Sequence, residues 1–188
     1  MGILGGTFDP PHLSHLELAR ASVNAKIVDR VVMVPCFRHA FLKAPAPFDH
    51  RVEMCRKMTE HASFLEVSDV EREMKNPGRT LELLEVLERK YPHCRFRLLV
   101  GADIYQERNK WYRFDLIEKK APPLYFARKG VPVQKPDWLP APLGISSSEL
   151  RARLARGDTV DGFLDASVMA YIVEHRLYGV NAWEEKSL

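Results

Sequence analysis

The chain has 188 residues, 46% of them hydrophobic and 28% charged, with a formal net charge of +3. That composition supplies a substantial core, excludes a disordered chain, and carries too little excess charge for a dedicated nucleic-acid binder, while suiting a protein that handles anionic small molecules. Three scattered cysteines, Cys36, Cys55 and Cys94, form no C-x-x-C pair, which argues against a disulfide framework or a zinc finger and for a reducing cytoplasm. No apolar run approaches the ~18 residues of a membrane span. The N-terminus has no basic region before a long apolar stretch, and Gly6 stands where a myristoylation pattern needs Ser or Thr, so neither a secretory signal nor a lipid anchor is expected.

Strand patterns fall at residues 1–4, 30–34, 64–67, 96–100 and 124–127, each short, apolar and bounded by Gly, Pro or polar residues. Helix-length segments lie between them at 12–24, 51–61, 80–90 and 111–119. In the second, Val52, Cys55 and Met58 recur on one face; in the third, Leu81, Leu84 and Leu87 do. This alternation predicts an α/β fold with a parallel sheet covered on both faces by right-handed crossovers. Residues 129–143 are rich in Pro and read as an ordered loop long enough to serve function. Helices are expected at 147–155 and 166–176 in a small helical part spanning 146–178, and residues 181–188 are expected to fray. The whole, 1–188, reads as one domain.

The stretch Gly5-Gly6-Thr7-Phe8-Asp9-Pro10-Pro11-His12-Leu13-Ser14-His15 holds the most chemistry. Glycines after a strand permit a tight turn and close approach of backbone to a ligand. His12 and His15, three apart, share one face at a helix N-terminus, where orphan N–H groups and the positive dipole end favour phosphate. A purely structural loop, or a two-His metal pair lacking further ligands, are the competing readings. Ile145-Ser146-Ser147-Ser148-Glu149-Leu150-Arg151 offers hydroxyls at a helix start and an Arg one turn on, suited to capping or to phosphate. Asp103, after Val100-Gly101-Ala102, reads as a helix cap or as a ribose-binding carboxylate at the edge of the sheet. His39 and Lys43 form a basic loop after the second strand. Neither G-x-x-x-x-G-K-[ST] nor G-x-G-x-x-G occurs, which disfavours a P-loop hydrolase and an ordinary dehydrogenase.

These residues resemble the nucleotidyltransferase superfamily, with G-G-T-F-D-P-x-H-x-G-H near the N-terminus and I-S-S-T-x-x-R near the C-terminus. Within it the chain is similar to the nicotinate-nucleotide adenylyltransferase family almost end to end. Gly101-Ala102-Asp103 followed by Trp111, the segment Ala127-Arg128-Lys129-Gly130, and Val168…Tyr171-Ile172…Leu177-Tyr178 carry the likeness beyond the two motifs. Ser14 stands where the family has Gly, Ser148 where Thr is common, His39-Ala40-Phe41-Leu42-Lys43 where Pro-Pro-His-Lys is usual, and Arg79 and Leu83 depart from Tyr-Thr-x-x-Thr-Leu.

The resemblance implies a Rossmann-like, doubly wound parallel sheet of strand order 3-2-1-4-5. It implies adenylyl transfer from ATP to nicotinate mononucleotide, with Mg²⁺ held mainly by substrate phosphates and no protein metal ligands. His12, His15, Lys43 and Arg151 would be catalytic. Gly6, Thr7, Phe8, Gly101, Asp103, Ile145, Ser147 and Ser148 would join His12, His15 and Arg151 on ATP. Thr80, Asp103, Trp111, Tyr112 and Arg128 would meet the acceptor, with Arg79 a candidate cation for its carboxylate. Neither nucleic acid nor membrane is an implied partner. Transfer to pantetheine phosphate or nicotinamide mononucleotide, cytidylyl transfer, and a nucleotide-binding regulator without turnover are the alternatives.

Overall fold

Five short parallel strands place apolar side chains on both faces of one sheet, and this determines where the helices lie. The computed structural model describes residues 1–38, 45–76, 78–127, 138–140 and 144–180. The strands are β1 (Gly2–Gly6), β2 (Val31–Pro35), β3 (Leu65–Val67), β4 (Arg97–Gly101) and β5 (Pro123–Phe126). They are ordered β3-β2-β1-β4-β5, the order expected. Every residue of β2 is buried, as a parallel strand covered on both sides requires. Leu4, Val31, Met33, Leu99 and Leu124 point to one side, against α1 (Leu13–Asn24), α2 (Phe48–Thr59), α6 (Ser147–Arg156) and α7 (Ala166–Glu174). Ile3, Val32, Val34, Leu98 and Val100 point to the other. There, Leu81, Leu84 and Leu87 of α3 (Thr80–Lys90) and Ile117 of α5 (Phe114–Lys120) cover them. Among the described residues, no helix is long and apolar enough to cross a membrane.

Several boundaries differ from the sequence reading, each for a local reason. β1 runs through Gly5 and Gly6, which pair with Val34 and Pro35. The turn therefore comes after the glycines, and the left-handed residue is Phe8, at φ 53°. His12 is the N-cap of α1 and not its first residue. α2 starts at Phe48, three residues early, behind Pro47. α5 starts at Phe114 because Arg113 is left-handed, at φ 52°. α7 stops at Glu174, and Arg176 takes a left-handed conformation at φ 52°. The helix that Asp103 could have capped is the six-residue α4 (Ala102–Glu107), whose N-cap is Gly101 and not Asp103, and the 3-10 turn at Val70–Glu73 was not expected; elements this short leave no apolar period to read.

Part of the Pro-rich segment is ordered onto the sheet. Leu139 bridges Phe126 in parallel, donating to the Tyr125 carbonyl at 3.0 Å and accepting from the Ala127 N–H at 2.9 Å. Trp138 is buried between the rings of Tyr105 and Tyr125, with centroids 5.5 and 5.2 Å away. The expected tail, 181–188, lies outside the described residues.

The two strand glycines make different demands. A Cβ on Gly6 would lie 3.1 Å from two atoms of the Phe8 ring, whereas one on Gly5 would meet nothing within 4 Å. Gly6→Ala is expected to cost roughly 1–3 kcal/mol, the usual penalty of overpacking. Gly5→Ala should change stability by less than about 0.5 kcal/mol. Thermal denaturation of the two variants checks this; equal melting temperatures would show that the Phe8 ring yields freely.

Candidate active site

The carboxyl ends of β1, β4 and β5 open onto a cavity of about 700 Å³. This is where an open α/β sheet gathers loops from successive strands. Seven of the residues singled out from sequence line it: His12, His15, Gly101, Asp103, Trp111, Ile145 and Ser147. Gly5 lines it too, and the space above its Cα is empty, so backbone is open to close approach there.

The two histidines are fixed as a pair. Their ring centroids lie 3.8 Å apart with planes 35° from parallel, and the Phe8 ring meets His15 edge-on at 4.9 Å. The His12 backbone N–H donates to His15 Nδ1 at 3.1 Å. A neutral His15 therefore carries its proton on Nε2, the nitrogen able to donate to an anionic oxygen. Asp103 sits in the first turn of α4, just past its N-cap Gly101.

The C-terminal motif is stitched to the N-terminal one. Ser146 caps α6, its hydroxyl accepting from the Glu149 N–H at 3.2 Å. Ser147 Oγ donates to the Pro10 carbonyl at 2.9 Å. Arg151 Nη1 donates to the Asp9 carbonyl at 2.6 Å and lies 3.4 Å from Asp9 Oδ2. Arg151 Nη2 donates to Ser148 Oγ at 3.2 Å. Ser148 and Arg151 do not line the large cavity. Arg151 instead borders a smaller one of about 290 Å³, on the side of Asp9, Ala46 and Tyr178.

On the other side, Trp111 borders the large cavity with its ring perpendicular to Phe114, centroids 6.1 Å apart. Thr80 opens α3, partly buried and outside the cavity lining. Tyr112 is 58% exposed. Arg79 lies over its ring at 5.1 Å and pairs with Glu82 at 3.4 Å, so the guanidinium already has local partners. Gly6, Thr7 and Phe8 are not in the lining of the large cavity, although the Phe8 ring packs against His15. Lys43, His39 and Arg128 lie outside the described residues.

Four groups escaped the sequence reading. Asp9 is buried, accepting from the Ala46 N–H at 3.1 Å and the Tyr178 hydroxyl at 2.8 Å. Burial, reinforced by the Asp9 carboxylate, pushes Tyr178 far above the usual phenol range, so it remains a donor. Arg51, 2% exposed, donates to three backbone carbonyls. Its position on the apolar face of α2, with Met54, Cys55 and Met58, is the signal that could have marked it. Glu71 Oε2 accepts from the Phe37 N–H at 2.8 Å and the Gly78 N–H at 3.0 Å. Burial, and then Glu71, push the Cys36 thiol up to about 12, which makes it no nucleophile.

Burial also raises Glu71, more than its two N–H donors and nearby Arg51 lower it. A carboxyl raised in the fold binds its proton more tightly there than in the unfolded chain. Its contribution is therefore fully favourable at low pH and is lost as pH rises through the raised value. Glu71→Gln keeps a single oxygen able to accept both N–H groups and does not ionise. The stability of wild type relative to Glu71→Gln is expected to fall as pH climbs above the ordinary carboxylate range. Urea denaturation across that interval checks it, and parallel pH profiles would contradict it.

A cytidylyltransferase-like family model matches residues 3–153. The chain is 42% identical over 182 residues to the probable nicotinate-nucleotide adenylyltransferase of Anaeromyxobacter dehalogenans, covering 95% of this chain and 96% of that one. Identity to the protein of the same name in Myxococcus xanthus is 36%, with 96% and 95% covered. The fold is that of Plasmodium falciparum nicotinic acid mononucleotide adenylyltransferase complexed with NaAD: TM-score 0.76 at 19% identity, covering 96% of this chain and 98% of that one. It also matches a putative nicotinate-nucleotide adenylyltransferase from Vibrio parahaemolyticus, with TM-score 0.71, 20% identity, and 95% and 94% covered.

Proposed function

Because the chain belongs to the nicotinate-nucleotide adenylyltransferase family of cytidylyltransferase-like proteins, we propose that residues 1–188 act as one nucleotidyltransferase domain that joins ATP to nicotinate mononucleotide, giving nicotinate adenine dinucleotide and pyrophosphate. The observation that carries this reading is the stacked His12–His15 pair at the start of α1, in one cavity with Asp103 and Trp111. Three free cysteines fit a reducing cytoplasm.

The acceptor phosphate oxygen attacks the α-phosphorus of ATP in line. A new P–O bond forms as the bond to the bridging α–β oxygen breaks, and that oxygen leaves with pyrophosphate. The nucleophile is already an anion, so the protein need not supply a strong base; it supplies position and charge stabilisation. His15 Nε2 and His12 donate to α-phosphate oxygens, together with the main chain of Gly6, Thr7 and Phe8. Ser147, Ser148, Arg151 and Lys43 hold the phosphates that leave. Gly101, Asp103 and Ile145 hold the nucleoside, with Asp103 accepting from ribose hydroxyls. Trp111 stacks on the pyridine ring, flanked by Thr80, Tyr112 and Arg128. Among the described residues no group of three or more His, Cys, Asp or Glu side chains gathers to hold a metal. Charge neutralisation of the leaving phosphates is the chemistry Mg²⁺ would supply, held mainly by substrate oxygens and water. With Arg79 engaged by Tyr112 and Glu82, the nicotinate carboxylate falls to backbone donors near Thr80 and Tyr112.

A panel of nicotinate mononucleotide, nicotinamide mononucleotide and pantetheine phosphate, with ATP and product masses determined, tests the assignment. The acid is expected to be preferred. Faster turnover of another acceptor would replace the named substrate, and no product from any of them would favour a nucleotide-binding regulator. His15→Ala should lower kcat by about 10²–10³, the cost of one preorganised donor to developing charge; near-normal turnover in the folded variant would remove the histidine from the mechanism.

Arg151 and Trp111 should separate the two substrates. Arg151→Ala is expected to weaken ATP use by about 1.5–3 kcal/mol, the worth of a charge-assisted bond, with only partial recovery in Arg151→Lys. Trp111→Ala should raise the KM for the mononucleotide and spare that for ATP. Steady-state kinetics in each substrate would expose an error in either placement, as equal changes in both.

A further inference from the structure

Arg51 is an unusual cation. It is 2% exposed, yet its acceptors are three neutral carbonyls: Thr7 at 2.7 Å and Cys36 at 2.8 Å from Nη1, and Ala46 at 2.9 Å from Nε. Among the described residues no carboxylate forms an ion pair with it. Glu71 is near enough to feel its charge but makes no direct bond to it, and a buried charge without an ion pair is more costly to the fold than an apolar side chain of the same size. What it holds is also particular. Cys36 and Ala46 flank the segment containing Lys43, and Thr7 lies between the strand glycines and the histidines.

The Thr7 carbonyl and the Phe8 N–H belong to one peptide unit, and the peptide bond between them is trans. In a planar trans unit the two point in opposite directions. Anchoring the carbonyl on Arg51 therefore aims the Phe8 N–H away from α2. Phe8 pays for that orientation with a left-handed φ of 53°, rare for an aromatic residue, and its ring is wedged between Gly6 and His15. The Phe8 N–H meets no acceptor among the described residues, although Phe8 is 2% exposed. Buried backbone donors are nearly always paired, so this one is shaped for a partner from outside the chain.

We infer that Arg51 is a positioning residue for the transfer: its guanidinium holds and polarises the Thr7–Phe8 peptide so that the Phe8 N–H is presented to a nucleotide phosphate oxygen. This rests on the adenylyl-transfer reading for its kinetic consequence, and on nucleotide binding alone for its structural one. A hydrogen bond at the carbonyl end strengthens the N–H at the other end as a donor.

The test has two arms. In wild type, the Phe8 amide proton is followed by NMR on titration with a hydrolysis-resistant ATP analogue. It is expected to move downfield with saturation; no response while other site amides shift overturns the proposal. In kinetics, Arg51→Met is expected to lower kcat by about 10–100-fold, the scale of a misplaced reacting group, with the mononucleotide KM unchanged. Arg51→Lys, which restores a charge and one donor, should recover part of kcat. A variant that merely lost folded protein would show wild-type kcat per active site, and that result too overturns the proposal. If neither variant folds, the Arg51 Nη protons of wild type, followed in the same titration, decide: a shift that saturates together with that of Phe8 supports the coupling, and a Phe8 shift without one overturns it. If no mononucleotide yields a dinucleotide in wild type, adenylyl transfer fails while the paired Phe8 and Arg51 responses still test the positioning role.

Discussion

One buried carboxylate holds the two halves of the site together. Asp9 receives the Ala46 N–H and the Tyr178 hydroxyl on one oxygen and faces Arg151 with the other, while its own carbonyl takes a bond from the same guanidinium. The partners come from the segment after β2, from α6, and from the last described turn at Leu177–Gly179. The β1–α1 turn leaves the sheet in a left-handed conformation at Phe8 and takes much of its support from outside its own segment. Its shape is imposed by residues as much as 169 positions away in the chain.

The charge around the large cavity is arranged in depth. Among the described residues, the ionisable groups that line it are His12, His15, Asp103 and Glu149, with no Lys or Arg. Two described cations outside that lining brace the β1–α1 turn, Arg51 on the Thr7 carbonyl and Arg151 on the Asp9 carbonyl. On the proposed reading, a phosphate meets imidazoles, hydroxyls and main-chain N–H groups of a turn that these cations hold in place, and Arg151 itself on the side of the leaving phosphates. Such donors need little rearrangement as charge moves in the transition state.

How much of this was readable from the sequence depended on whether each residue's partners were local. The strands were legible because β-branched and apolar runs alternated with helices, and α3 was legible because Leu81, Leu84 and Leu87 keep one face. His12, His15, Asp103 and Ser147 were legible through their place after strands and at helix starts, Trp111 only through the family resemblance, and all five do share a cavity. The glycines misled: Gly5 and Gly6 extend the strand, and the turn's strain falls on Phe8, a residue whose type disfavours it. Asp9, Arg51, Glu71 and Tyr178 were missed because their partners are distant backbone groups or each other. Arg79 looked available as a cation because its neighbours Tyr112 and Glu82 are visible only in three dimensions.

The Leu139 bridge also bears on how copies of the chain can meet. A parallel sheet has two outer strands, each a row of unpaired N–H and C=O groups that another chain can extend. β3, at one margin, is only three residues long and carries Glu66, which offers little to build on. β5, at the other, has its carboxyl-end N–H and C=O groups taken by Leu139, with Trp138 locked between two tyrosines beside it. Continuing the sheet from that end would require a newcomer to peel away a residue held through both its N–H and its C=O, and an indole buried with it. The clasp that Leu139 and Trp138 place on β5 therefore also guards that margin of the sheet against extension by another copy of the chain.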